Sequence, residues 1–504
     1  MAAMLRRRRR NEPVLAVVDL GSNSFRLVLA SVVQGHLAPL DTIREGVRLA
    51  AALGPDGRLG NAGQARPLEC LERFGERIRD LPSDSVRAVG TNTLRRARDV
   101  GGFLERARRA LGHPVEVISG REEARLIYQG VALDLGPAEE RRLVVDIGGV
   151  STECILGSGA TPERLESLYM GCVGMTLAHF GDGRIDRERL RRAELQARVE
   201  LESIAGELAE ADWQTCAGAS GTIRAVEAIA RRNGWSSDGI DLDALKALRR
   251  EMLAAGDVRS LRVPGLTRER ATVMPGGLAI LLAIFRSFGV RNMITSRGSL
   301  REGLLQDLAG RLGSGDVRPR TVARLQEQYR VDREQAGRVE RTALALLGQV
   351  EEAWDLPPRM AHEYLAWAAR VHEIGRLVAH GGYHKHGAYL LANSELPGFS
   401  LQEQNLLAAL VRAHRRKVPA GLFDNVAAEQ REPAARLMLL LRLAVLLERS
   451  RRNDAQPPVR LRADDGHLEI RFPRGWLRTH PLTRADLEQE RAWLEAAGWE
   501  LAWL

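Results

Sequence analysis

The sequence predicts an α/β protein built from two copies of one mixed domain, followed by an all-α region and a small α+β tail. Three observations predict it. Residues 15–30, LAVVDLGSNSFRLVLA, and residues 142–157, RLVVDIGGVSTECILG, spell nearly the same phrase 127 residues apart. That offset is too long for a solenoid repeat and suits a repeated domain. Strand-like and helix-like stretches alternate around both phrases. After about residue 315 the pattern turns almost wholly helical, rich in Leu, Ala, Arg and Glu.

Residues 14–33 read as a hairpin around the first glycine turn. Ala65–Leu81 reads as a helix ended by Pro82. Ser85–Gly90 is a buried strand, followed by Thr91–Arg95. Val115–Ser119 is a strand, and a helix runs over Glu122–Val131 after Gly120. The second copy opens at Arg142 and continues with a long amphipathic helix near Asp186–Ala211. A strand at Thr215–Ala217 then leads through Gly218–Thr222 into a helix from Ile223. A helix over Gly276–Phe288 and a strand at Met293–Thr295 complete it. Val322–Ser450 is helical, punctuated by Pro357–Pro358 and Pro397–Gly398. Val459–Ala463 and His467–Phe472 alternate as a hairpin around Asp464–Gly466, and a helix at Arg484–Ala497 follows.

Bulk composition bounds the class. A chain of 504 residues with 44% hydrophobic residues affords large cores and is not disordered. No apolar run approaches the roughly 20 residues that span a bilayer. The N-terminus has no long apolar segment of a signal peptide, so a cytoplasmic protein is expected, with peripheral contact at the inner membrane the alternative. Cys70, Cys154, Cys172 and Cys216 are widely spaced and read as buried thiols. Net charge is +9, and lysine occurs only at 246, 385 and 417. That excess fits either an arginine-rich bias or a polyanionic partner. Arg6–Arg10 read as a basic tail. Aromatics are 5% and no nucleic-acid-binding module is visible.

Each repeated phrase runs apolar strand, Asp, Gly/Ser turn, apolar strand. Such a turn aims consecutive backbone N–H groups at an anion. Gly21, Ser22, Asn23 and Ser24 in the first copy, and Gly148, Gly149, Ser151 and Thr152 in the second, are therefore candidate phosphate contacts. The turn Ala217–Ile223 repeats the logic, with Gly221 letting backbone approach a ligand. Asp19, Asp146 and Glu153 flank the turns. Carboxylates beside a phosphate nest suit Mg²⁺, which takes one or two of them with water and substrate oxygens; a turn cap is the plainer reading. Glu122, on the first turn of its helix, is either a dipole-stabilising acid or a general base. Arg95 could clamp phosphate or sit solvated on a helix.

In the helical region His372-Glu373 stands where an HD-type metal phosphohydrolase needs His-Asp, so buried packing histidines are the simpler reading. His384, Lys385 and His386, with Arg412, Arg415, Arg416 and Lys417, form basic stretches that could guide a polyanion.

Together VVDLGSNSF, GTNTLRRA, ISGREEARLIYQG, VVDIGGVSTE, GASGTI, LREG and HEIG…HKHGAYLLANSELPGF resemble the exopolyphosphatase / guanosine-pentaphosphate phosphohydrolase (Ppx/GppA) family, over nearly the whole chain and in order. The resemblance implies a duplicated actin-like ATPase fold (ribonuclease H-like, sugar kinase/Hsp70-type), then a degenerate HD-like domain and a small C-terminal domain. Boundaries are expected at 12–125, 126–312, 313–453 and 454–504. It implies Mg²⁺-dependent release of terminal orthophosphate from inorganic polyphosphate, with K⁺ as activator, by a homodimer. Guanosine pentaphosphate (pppGpp) is the alternative substrate. An ATP-dependent kinase or chaperone of the same fold, or a polyanion-binding protein, is the rival of another class. By motif, Glu122 is expected as the base for the attacking water, Asp146 and Glu153 as the acids of the second phosphate motif, and Arg95 as the arginine of the TxTLR motif. Two departures stand out. Val150 replaces the usual third glycine, which predicts strain if that position is left-handed. Arg297 replaces an acid.

Overall fold

Strand pairing reproduces the sequence repeat. The computed structural model describes residues 13–33, 36–54, 56–136, 139–452, 457–464 and 466–504. Arg6–Arg10, Asp465 and the 453/454 boundary lie outside them. In the first sheet β1 (Val14–Leu20), β2 (Ser24–Val33), β3 (His36–Gly46), β4 (Val86–Gly90) and β5 (Val115–Val117) lie in the order β3-β2-β1-β4-β5. The second holds β6 (Arg141–Ile147), β7 (Thr152–Ser158), β8 (Thr161–Leu168), β9 (Thr215–Gly218), β10 (Ile240–Asp241) and β11 (Asn292–Thr295). Its order is β8-β7-β6-β9-β11-β10. Both hairpins keep one register: Asp19 faces Arg26 across β1–β2, and Asp146 faces Glu153 across β6–β7. β4 runs parallel to β1, and β9 to β6.

The central strands are apolar because they are covered on both faces; Leu15–Val18 and Leu143–Val145 are fully buried. β3 and β8 were not legible in the sequence. Each is an outer strand with a polar, half-exposed pattern, the composition that keeps sheet edges from pairing further.

Two helices, Gly120–Leu135 and Leu300–Leu312, join the halves of the duplication. Their residues Ala124, Leu126, Val131, Leu304 and Leu308 share one core with Leu15 and Val17 of β1 and Val144 of β6. The expected 125/126 boundary therefore falls inside a helix. The helices touch through glycine. A Cβ on Gly303 would lie 1.8 Å from the Leu126 carbonyl oxygen, and one on Gly130 would lie 2.0 Å from that of Ser299. This gives physical content to the glycines of ISGREEARLIYQG and LREG. Gly303→Ala is expected to overpack the contact and cost about 1–3 kcal/mol or more, read as a lowered denaturant midpoint at unchanged slope.

The chain divides into two units, Met1–Asp316 and Val317–Leu504. The second is built on helices Arg318–Gln328, Arg333–Leu347, Pro358–Val371, Tyr383–Asn393, Leu401–Ala413 and Ala428–Leu447. A sheet of β12 (Arg460–Asp464), β13 (His467–Arg471) and β14 (Glu500–Trp503) follows, with β14 parallel to β13. Leu461, Leu468, Ile470, Leu487 and Leu501 belong to the same core as Leu365, Leu406 and Leu440. The tail thus completes the helical core instead of forming its own. Among the described residues no helix is long and apolar enough to cross a membrane.

Candidate active site

The two glycine turns sit at equivalent ends of β1 and β6. A Cβ on Gly21 would meet the Ser24 carbonyl oxygen at 3.0 Å, and one on Gly148 would meet that of Ser151 at the same distance. Each glycine is therefore set by the tightness of its turn. The Gly148 N–H donates to Ser151 O at 2.9 Å. Downstream backbone holds each turn from behind: Val47 and Arg48 donate to Asn23 O, and Cys172 and Val173 donate to Gly148 O and Gly149 O. Ser22 Oγ accepts from Thr93 Oγ1 at 2.8 Å, which ties the first turn to the TNTLRR segment. None of Gly148, Gly149 or Val150 has a positive φ. The strain expected at Val150 is absent, since no left-handed backbone is required there.

Around these turns lie four carboxylates, Asp19, Asp146, Glu153 and Glu123, coupled through space. Burial pushes Asp19 up to about 6, against the pull of Arg301 and Arg26. Asp146 is pushed up to about 6 by burial against Arg224, with Glu123 and Asp19 adding repulsion. Glu153, 1% exposed, is raised well above the usual carboxylate range by burial, then by Glu123 and Asp146. Its Oε1 accepts from Ser167 Oγ at 2.8 Å, and the Ser151 hydroxyl also bonds it.

Glu122 does not join this group. Its carboxylate is held by Arg125 through two bonds of 2.7 Å, with Arg87 4.0 Å away. Behind Arg125 stands Asp307 at 2.6 Å. Its neighbour Glu123 is the one whose charge acts on Asp19, Asp146 and Glu153. Glu123 Oε2 accepts from Arg95 Nη1 at 2.7 Å, and Arg95 also donates to Ile118 O at 3.0 Å. Burial opposes the charge on Arg95, but Glu123 and Glu153 outweigh it and raise its pKa. Successive helix residues project about 100° apart, so of two adjacent buried glutamates one meets Arg95 and the carboxylate group and the other meets Arg125. The signal was present: Arg125, three residues after Glu122, claims it as an i,i+3 partner.

Four arginines were missed by motif reading. Arg26 and Arg301 flank Asp19, with Arg301 Nη1 3.7 Å from Asp19 Oδ2. Arg224 is fixed by Ala219 O at 2.6 Å and Ser296 O at 3.0 Å and faces Asp146. A Cβ on Gly221 would fall 2.2 Å from Arg270 Nη2, so Gly221 makes room for this guanidinium at the helix start. Such solvated-looking arginines carry no local pattern; only the fold gathers them.

One other expectation changes, and the Arg297 departure finds its place. The Thr152 hydroxyl is fully buried and donates to Met170 O at 2.6 Å, so it holds the turn and is not offered to phosphate. Arg297 is exposed, and its N–H donates to Asp134 Oδ2 at 2.8 Å. It thus sits beside an acid.

In the second unit His384, Lys385, Arg412, Arg415 and Arg416 gather at one end of the paired helices Tyr383–Asn393 and Leu401–Ala413. His384 is buried, and burial with those neighbouring cations pushes it down to about 4. It is a neutral member of the basic stretch and adds no charge to it. His386 is half-buried and Lys417 exposed.

Residues 28–312 match the Ppx/GppA phosphatase family, and residues 317–491 match Ppx/GppA phosphatase, domain III. A protein of Aeromonas hydrophila named guanosine-5'-triphosphate,3'-diphosphate pyrophosphatase is 39% identical over 97% of this chain and 98% of its own length. The crystal structure of the Aquifex aeolicus Ppx/GppA family member is 27% identical, covers 60% of this chain and 98% of that one, and has a TM-score of 0.51. An exopolyphosphatase from Cytophaga hutchinsonii shares the fold at 20% identity and TM-score 0.54, over 60% of this chain and all of that one. The duplicated sheets are the actin-like fold of these neighbours, and the chain belongs to the Ppx/GppA phosphatase family.

Proposed function

We propose that this protein hydrolyses the terminal phosphoanhydride bond of inorganic polyphosphate, with Glu123 as the general base. The observation that carries the reading is the convergence of one carboxylate group, Asp19, Asp146, Glu153 and Glu123, on two backbone turns of identical register. Phosphoryl transfer rests mainly on positioning and charge stabilisation. The N–H groups of Gly21–Ser24 and Gly149–Ser151 would cradle phosphoryl oxygens, with Arg95 supplying charge beside them. Water's oxygen forms a bond to the terminal phosphorus as the bridging P–O bond breaks. The water proton passes to Glu123, and the electron pair leaves on the shortened chain. The sequence-based assignment of this role to Glu122 is replaced, because Arg125 holds that carboxylate, whereas Glu123 is the glutamate whose charge acts on Asp146 and Glu153.

Among the described residues no three His, Cys, Asp or Glu side chains could hold a metal ion by themselves. Mg²⁺ needs only one or two carboxylates plus water and substrate, and the buried carboxylates that raise one another's pKa are a donor set that a hard cation would relieve. One or two of Asp19, Asp146 and Glu153, with water and substrate oxygens, would hold it, and it would supply charge neutralisation on the phosphoryl oxygens.

The positive charge of Lys385, Arg412 and Lys417 supports a long polyanion as substrate. The name and 39% identity of the Aeromonas hydrophila relative favour pppGpp as a second reading. Steady-state phosphate release on both substrates separates them: a higher kcat/KM on long-chain polyphosphate is expected, and a higher value on pppGpp would reverse the order. Removing divalent ions with EDTA is expected to abolish release on either substrate, and Mg²⁺ to restore it.

A further inference from the structure

The second unit contains a cavity of about 290 Å³, near the lower end of small-molecule sites. Its three carboxylates are all taken. Glu373 pairs with Arg376 at 3.0 Å and with Arg451, Asp486 with Arg449, and Glu490 with Arg442. Arg415 and Arg416 also line it, and among the described residues neither has a carboxylate partner. Arg415 lies over the Tyr383 ring, 4.6 Å from its centroid. Arg416 is held at φ +66° by the buried Arg442, which donates to Ala413 O and, at 2.7 Å, to Arg416 O. A left-handed residue with a β-carbon persists only where its surroundings over-determine it. Here they present a guanidinium at the cavity edge.

The wall adds an unusual acceptor. His414 is 1% exposed. Its Nδ1 lies 2.6 Å from Val411 O, so Nδ1 carries the hydrogen. Nε2 is left with a lone pair and has no hydrogen-bond partner. His372 packs edge-on against it at 5.3 Å, its own Nδ1 tied to Ala369 O. Burial keeps both imidazoles below their ordinary pKa. A fitting ligand therefore brings negative charge for the arginines and a hydrogen-bond donor beside it. An ionised carboxylate has no such donor; a monoprotonated phosphoryl group has both.

We propose that this cavity binds a phosphoryl group, its anionic oxygens on Arg415 and Arg416 and its P–OH donating to Nε2 of His414. Two sources share that chemistry: free orthophosphate, and the phosphate end of a nucleotide. The proposal is independent of the reaction assigned to the first unit.

Calorimetric titration of the full chain with orthophosphate, and separately with guanosine 5′-monophosphate, tests it. Arg416→Gly removes the guanidinium at a position whose left-handed backbone glycine prefers, so that variant folds. A binding event is expected that survives Arg95→Ala, which alters the cleft of the first unit. The same event should weaken about tenfold or more in Arg416→Gly and in His414→Leu, as expected for losing a hydrogen bond to a charged group. Binding of orthophosphate alone, of the nucleotide alone, or of both in competition supports the site and names its source. No binding by either, an event lost in Arg95→Ala, or an Arg416→Gly protein that titrates like wild type overturns it.

Discussion

Glu123→Gln is expected to lower kcat for phosphate release by about 10²–10⁴-fold, the usual loss when a general base is removed. The side chain keeps its size, and its bond from Arg95 at 2.7 Å can be kept by the amide oxygen. The stability cost is therefore about 1–2 kcal/mol at most, the loss of one charge-assisted bond. The neighbouring variant Glu122→Gln behaves in the opposite way. It removes the charge opposite buried Arg125, so it is expected to lower the unfolding midpoint while kcat stays within about tenfold of wild type. Circular dichroism melts and phosphate release, run on both proteins, separate the two glutamates. Equal losses of kcat in the pair would count against the division of roles.

Asp307→Ala is expected to cost about 3–5 kcal/mol of stability, the range for breaking a buried ion pair from one side. Asp307 accepts from Arg87 at 2.5 Å, Arg125 at 2.6 Å and Arg311 at 3.1 Å. Burial alone would raise its pKa; these arginines reverse that and hold it well below the usual carboxylate range. Its removal leaves buried Arg87 with Glu116 and buried Arg125 with Glu122 as their remaining carboxylate partners, each arginine 5% exposed or less. Because Arg125 grips Glu122 one residue from Glu123, the loss should also slow turnover by loosening the first helical turn. Urea unfolding reads the first effect, and kcat at a temperature where the variant remains folded reads the second. A variant as stable as wild type would show that the arginines find water or other partners.

Much of this was legible because it is local. The repeat placed Asp19 and Asp146, the apolar runs placed β1 and β6, and amphipathic periodicity placed the helix near Asp186–Ala211, which runs over Arg187–Glu210. What the sequence hid was long-range. β3 and β8 are polar edge strands with no core face to announce them. Arg26, Arg224, Arg270 and Arg301 become site residues only when the two sheets and the Leu300–Leu312 helix bring them to Asp19, Asp146 and Gly221. The choice between Glu122 and Glu123 turned on helix phase, since a one-residue error rotates a side chain from Arg95 and the carboxylate group to Arg125. Thr152 shared the motif's hydroxyl pattern with Ser151, yet its position in β7 aims it at Met170 O.

The central claim is that both glycine turns serve one phosphoryl site with Glu123 beside it. A crystal structure of the Glu123→Gln protein with Mg²⁺ and tripolyphosphate tests it most directly. The expected result is a terminal phosphoryl group bonded by the N–H groups of Gly21–Ser24 and Gly149–Ser151, with a water between the phosphorus and the residue 123 amide. A polyphosphate seated on neither turn, or a terminal phosphorus approached from the side of Glu122, would contradict it.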